Sequence, residues 1–191
     1  SLLHISKIVP NRSTMPILNC ALFTVASNNL FIKTTNLDTY ISSQIDIISG
    51  EDGSICIPVN KLNEILSALP DCELNFSISS NRKITINNNI GNYMIMAHDA
   101  EEFPSEPILD SVNIIDIKSE TLKNIIKSTL YAVSKDDLKP VLQGVLFTMQ
   151  DNNITTVATD GHRLVKFSVS IDKKYNQTVT VPQQFLSALL D

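Results

Sequence analysis

The chain has no surplus of positive charge. Its 15 Lys and Arg stand against 20 Asp and Glu, a formal net charge of −5 over 191 residues. That excludes a protein that grips nucleic acid by bulk electrostatics, though not one that touches it through a restricted face. No stretch is apolar enough to span a membrane, and no basic segment leads into an apolar one as in a secretory leader. Cys20, Cys56 and Cys72 are an odd set without metal-ligand spacing, read as reduced thiols of a cytoplasmic protein. The histidines are His4, His98 and His162, with no His-x₃-His or Cys-x₂-Cys pattern. No metal or cofactor is expected. The first residue is Ser, so a processed or excised segment is expected.

Hydrophobic patterning supplies the elements. Leu2, Ile5 and Val9 share a helical face that Pro10 ends. Strand-like runs cover 17–25, 30–35, 40–48 and 54–57. Pro58 opens a helix with Leu62, Ile65, Leu66 and Leu69 at i, i+3, i+4 and i+7. Strand runs follow at 74–78, 84–87 and 93–97, then an acidic, proline-bearing linker at 101–107. A strand is predicted over 112–117. Ser119 is placed to cap a helix striped with Leu122, Ile125, Ile126 and Leu130. Further strand runs cover 141–149, 154–159, 163–169 and 178–181, and Pro182 opens a last helix.

The order recurs at a fixed offset. Pro16-Ile17-Leu18 matches Pro140-Val141-Leu142, and 140 − 16 = 124. Leu22-Phe23-Thr24 matches Leu146-Phe147-Thr148, Thr35-Asn36 matches Thr159-Asp160, and Ile57-Pro58 matches Val181-Pro182 at the same spacing. This period is too long for a solenoid, whose repeats span about 20–50 residues, so it marks a duplicated domain. Helix and strand alternate with strand in excess. The fold class is therefore α+β, with amphipathic helices covering one face of antiparallel sheets.

The densest stretch is Val157-Ala158-Thr159-Asp160-Gly161-His162-Arg163-Leu164. Asp160-Gly161 is a turn dipeptide between two β-type runs. The stretch resembles the Ala-Thr-Asp-Gly-His-Arg-Leu motif of the bacterial sliding-clamp family, the beta subunit of DNA polymerase III. Thr14-Met15-Pro16-Ile17-Leu18, Lys139-Pro140-Val141-Leu142-Gln143-Gly144-Val145-Leu146-Phe147 and Ala100-Glu101-Glu102-Phe103-Pro104 resemble other segments of that family, in the same order. The resemblance runs from Leu2 to Leu190. It implies a first clamp domain over 1–110 short of its opening strand, a second over 111–191 that stops early, and no third. On this reading the second domain lacks part of its sheet, and the stripes Leu122-Ile125-Ile126 and Phe185-Leu186-Leu189 are expected to be incompletely covered.

The resemblance also implies roles. It implies a non-catalytic processivity factor that encircles double-stranded DNA as a homodimer ring. That ring tethers the polymerase catalytic subunit, the clamp loader and repair proteins through short linear peptides. Leu142, Thr159, Gly161, His162, Arg163 and Leu164 match one wall of the apolar pocket that takes those peptides, at the junction of the second and third domains. Leu142 and Leu164 would be walls, and Thr159 and the main chain near Gly161 would supply hydrogen bonds. Arg12 matches a DNA-contacting position, and Lys7, Lys61, Lys123 and Lys127 lie on helix faces that would line the hole. Gln183-Gln184 and Asp136-Asp137 depart from the family's basic pattern and lower the charge expected there. Tyr93 and Ile95 match the strand edge at the dimer interface.

Two rival readings remain at the level of residues. One is a metal-independent hydrolase or transferase using His162 with Asp160, which needs a nucleophile and an oxyanion site near His162. The other is an oligomerising module without DNA, which predicts no basic face on the helices.

Overall fold

Period-two alternation in the first half of the chain becomes two antiparallel sheets. The first holds β1 (Cys20–Ala26), β2 (Asn29–Thr35), β3 (Tyr40–Asp46) and β4 (Gly53–Pro58), in the order β3-β2-β1-β4. Ser27 and Asn28, at φ 51° and 62°, make the tight β1–β2 connection, where two positive φ angles match the twist of the strands. The helix α1 (Val59–Ala68) leads to a second sheet of β5 (Asn75–Ile78), β6 (Lys83–Asn87) and β7 (Asn92–Met96). Residues 5–10, 13–108 and 113–190 are described by this computed structural model. It divides the chain into two units, Ser1–Pro107 and Ile108–Asp191. The core of unit one joins both sheets to α1 through Ile32, Ile57, Leu62, Ile84, Ile86 and Ile95.

Unit two contains α2 (Ser119–Thr129), two long strands, β8 (Gly144–Thr159) and β9 (Leu164–Pro182), and α3 (Gln183–Ala188). The four expected strand runs are thus joined in pairs. A register break falls between Asp151 and Asn153, where Asp151 has φ 53° and the Asn152 amide donates to the Ile171 and Asp172 carbonyls. The break rephases the strand. Val145, Phe147 and Met149 are buried before it and Ile154, Thr156 and Ala158 after it, so odd positions give way to even ones on the same core. Asp151 and Asn152 stand 124 positions after Ser27 and Asn28, the β1–β2 connection, so each half of β8 keeps the phase of its counterpart strand in unit one.

The two units repeat each other at the level of pairing. Cys20↔Pro58 and Ala21↔Ile57 in unit one become Gly144↔Pro182 and Val145↔Val181 in unit two, each shifted by 124. Thr35↔Tyr40 becomes Thr159↔Leu164. The short 3-10 turns Ser6–Ile8 and Leu130–Ala132 match at the same shift.

Three expectations need correction. The runs 17–25 and 141–149 begin not as strands but as 3-10 turns, Pro16–Asn19 and Pro140–Leu142, each started by a proline whose fixed φ suits a turn. Ser119 does not cap α2: it is the first helical residue, and Lys118 stands at the N-cap without a side-chain bond. Residues 113–117 are not a strand. Among the described residues they have no neighbouring backbone ladder, and alternation alone does not make one. Val112 and residues 1–4 of the predicted first helix lie outside the described residues, and Ser6–Ile8 of that helix form a 3-10 turn.

Coverage of the second core departs from the expectation at its centre. Ile125, Ile126 and Leu186 are buried, whereas Phe185 and Leu189 remain 38 % and 45 % exposed. Unit one adds the three strands β5–β7 to its core, and that sheet is not repeated among the described residues of unit two. Hydrogen exchange should therefore find slower amides in β1, β2 and β6 than in β8 and β9. Equal protection in both units would contradict this difference in stability.

Candidate functional site

The tip between β8 and β9 is built from side-chain acceptors. The Asp160 Oδ1 accepts the backbone N–H of His162 at 3.0 Å and of Arg163 at 2.9 Å. The Thr159 hydroxyl donates to the Arg163 carbonyl at 2.7 Å and accepts the Gly161 N–H at 3.1 Å. Gly161 takes φ 90°, where a side chain is strained although nothing lies within 4 Å of a Cβ built there. Such a turn follows directly from Thr-Asp-Gly, because Asx and Thr side chains bond to backbone two and three residues on.

Unit one contains the same turn. Asn36 Oδ1 accepts the N–H groups of Asp38 and Thr39, and the Thr35 hydroxyl donates to the Thr39 carbonyl and accepts the Leu37 N–H. Leu37, the counterpart of Gly161, holds φ 79°. The turn geometry is thus a property of the fold. What unit two adds is chemistry on top of it.

That addition centres on Arg163. Its Nε donates to Asp160 Oδ2 at 2.9 Å, and its guanidinium carbon lies 5.8 Å from the centroid of the Tyr131 ring, within cation–π range. Tyr131 sits in the 3-10 turn Leu130–Ala132, and Ser134 just beyond donates its N–H to the Leu142 carbonyl at 2.9 Å. One run of contacts therefore links Thr159, Gly161, His162 and Arg163 through Tyr131 to the segment bearing Leu142. Leu164 follows at the start of β9, 68 % exposed, and Val141 is also exposed. Tyr131 escaped the sequence reading: its contact with Arg163 spans 32 positions (163 − 131) and no local pattern announces it.

The same contacts dispose of the acid–base reading. The Asp160 carboxylate is committed to two backbone N–H groups and to Arg163, so it does not orient the His162 imidazole. These bonds, the Arg163 and His162 amides foremost, hold its pKa down to about 2. Burial pushes the Cys20 thiol up to about 11 and the Cys56 thiol up to about 12, which leaves little nucleophilic thiolate at neutral pH.

The remaining expected residues are dispersed. Lys61 on α1 and Lys123 and Lys127 on α2 are exposed, the last two opposite the buried Ile125 and Ile126. Lys7 is exposed in the turn Ser6–Ile8, and Arg12 lies outside the described residues. Tyr93 and Ile95, expected at a dimer interface, lie on the inner side of β7. Ile95 is 4 % exposed and pairs with Ile84, Tyr93 pairs with Ile86, and both pack in the core of their own unit. The side chains that β7 turns outward are Met94 and Met96. Among the described residues no cluster of His, Cys, Asp or Glu could hold a metal ion, and no helix is long and apolar enough to cross a membrane.

Paired α+β units that share register, turn and core positions define a DNA-clamp fold. The DNA polymerase sliding clamps of Bacillus subtilis and Pseudomonas aeruginosa superpose on this chain with TM-scores of 0.87 and 0.83, each at 26 % identity. The alignments cover 100 % and 99 % of this chain, and 53 % and 52 % of those chains. The model of the DNA polymerase III beta subunit N-terminal domain matches residues 1–107, and that of its central domain residues 116–190. The chain belongs to the DNA polymerase III beta subunit family, the bacterial beta sliding clamps. Curated relatives include the beta sliding clamps of Staphylococcus epidermidis, 30 % identical over 194 residues, and Halalkalibacterium halodurans, 28 % over 198. These cover 96 % and 97 % of this chain but 51 % and 52 % of the relatives, so the chain spans about half the length of the curated relatives it matches.

Two outcomes test the turn. Leu37→Gly should stabilise unit one by about 1 kcal/mol, and Gly161→Leu should destabilise unit two by about 1–2 kcal/mol, because each exchanges strain at positive φ. Denaturant unfolding that leaves Gly161→Leu unchanged would mean that Gly161 does not hold this conformation. Separately, because the folded pKa of Asp160 is depressed, its stabilising effect is full above the ordinary carboxylate value near 4 and is lost as the pH falls through about 2. The His162 and Arg163 amide resonances should titrate with a midpoint near pH 2. A midpoint near 4 would show the carboxylate free of them.

Proposed function

We propose that this chain forms the N-terminal and central part of a sliding clamp, a non-catalytic processivity factor without a cofactor that acts in the bacterial cytoplasm. The clamp domains are assigned to 1–110 and 111–191. Encirclement of duplex DNA and closure of a homodimer ring are activities of a whole clamp. What this chain contributes is a docking face on unit two for short linear peptides of the replicative polymerase, the clamp loader and repair proteins. One observation carries this reading: a leucine, Leu164, stands in solvent at the end of a turn whose polar groups are already satisfied. The fold does not require it, since its counterpart in unit one, Tyr40, is half-buried and spends its hydroxyl on the Ser105 carbonyl. An apolar anchor beside a few fixed polar groups is what an extended peptide needs for affinity and register.

Exposed lysines within each unit, Lys61 on α1 and Lys123 and Lys127 on α2, support weak basic contact with DNA and disfavour a module without basic helix faces. Asp136, Asp137, Gln183 and Gln184 add no positive charge there. The contact is accordingly weak, which suits a ring that slides, since topology rather than affinity would retain it.

An acetylated pentapeptide of Leu, Phe and polar residues, titrated into the ¹⁵N-labelled 191-residue chain, should shift the amides of Thr159, Gly161, His162 and Leu164. Leu164→Asp should abolish the shifts without lowering stability, because the carboxylate is solvated until a peptide buries it. Unchanged affinity in that variant would remove the site from this face.

A further inference from the structure

The unit-two turn carries a trio that the unit-one turn lacks. Subtracting 124 from Tyr131, Asp160 and Arg163 gives Lys7, Asn36 and Thr39. The hydrogen bonds of the unit-one turn form without the trio, so neither the ring nor the guanidinium is needed to fold it. Tyr131 is itself 59 % exposed and does not belong to the buried core of unit two. Yet three side chains from two segments converge: the carboxylate takes Nε of Arg163, and the guanidinium carbon lies over the Tyr131 ring, 5.8 Å from its centroid.

We infer that Tyr131 is a positioning residue for peptide recognition: with Asp160 it fixes Arg163 beside Leu164, so that the remaining guanidinium N–H groups donate to a main-chain carbonyl of the bound peptide. This rests on the peptide-docking reading above. An arginine free to rotate would have to be immobilised on binding, whereas one already clamped between a carboxylate and a ring does not. A guanidinium suits the arrangement, because it keeps further N–H donors after Nε is spent on Asp160.

The test uses the 191-residue chain and the same pentapeptide, with amide shifts giving the affinity and the Arg163 Nε–H resonance reporting ring stacking. Tyr131→Phe should bind like the parent and keep the ring-current shift at Nε–H. Tyr131→Leu should bind about threefold to tenfold more weakly and lose that shift, at an unchanged melting temperature. Arg163→Lys should weaken binding similarly, and adding Tyr131→Leu to it should cost nothing further, because both changes remove one interaction. Parent-like affinity in Tyr131→Leu, or additive losses in the double variant, would overturn the positioning role. Absence of any peptide response in the parent chain would instead overturn the docking reading and the recognition role with it, even if the Nε–H shift still depended on Tyr131.

Discussion

A carboxylate oxygen accepting two successive backbone N–H groups holds this structure's most consequential corner. At a hairpin tip the chain reverses and its N–H groups lose their ladder partners, and each unsatisfied donor is costly. Asp160 supplies the acceptor for His162 and Arg163, and Thr159 closes the loop onto the Arg163 carbonyl. The pairing Thr159↔Leu164 follows from that closure, and with it the phase of β9. A slip of one residue would turn every β9 side chain to the opposite face. Leu164 stands outward and Val165 inward because the turn has four residues and no more.

The duplication separates scaffold from function. Two turns share their hydrogen-bond pattern, their preceding threonine and their positive-φ residue, but not their side-chain chemistry. Unit one places Leu37 at φ 79° and accepts the strain, and its next residues, Asp38 and Thr39, offer no guanidinium. Unit two relieves the strain with Gly161 and uses Arg163 to join the turn to Tyr131. Each unit therefore serves as the other's control: what both contain belongs to the fold, and what only one contains needs another reason. The same logic applies at the cores. Ile32 in unit one becomes buried Thr156 in unit two, while Leu62 and Leu186 fill one position with one residue type.

Much of this was legible in the chain. The repeat, the hairpin at Asp160-Gly161 and the α+β class rest on period, punctuation and offset, all of which are local or arithmetic. Three things were not. Tyr131 meets Arg163 only because the turn after α2 packs beside the end of β8, a contact that no window of sequence contains. Residues 113–117 alternate like a strand, but a strand is a pairing, and pairing partners are non-local. For Tyr93 and Ile95, alternation says that 93 and 95 face together, not which face is covered. Burial against Ile84 and Ile86 decides that, leaving Met94 and Met96 outside.

The central claim is that a peptide recognises the side chains of one turn and not the backbone geometry common to both. A nitroxide-labelled Leu/Phe-rich pentapeptide added to the ¹⁵N-labelled chain tests it within one sample. Paramagnetic broadening should fall on the amides of 159–164 and on Tyr131, and should spare 35–40, whose hydrogen bonds are the same. Equal broadening at both turns, or at neither, would contradict the account.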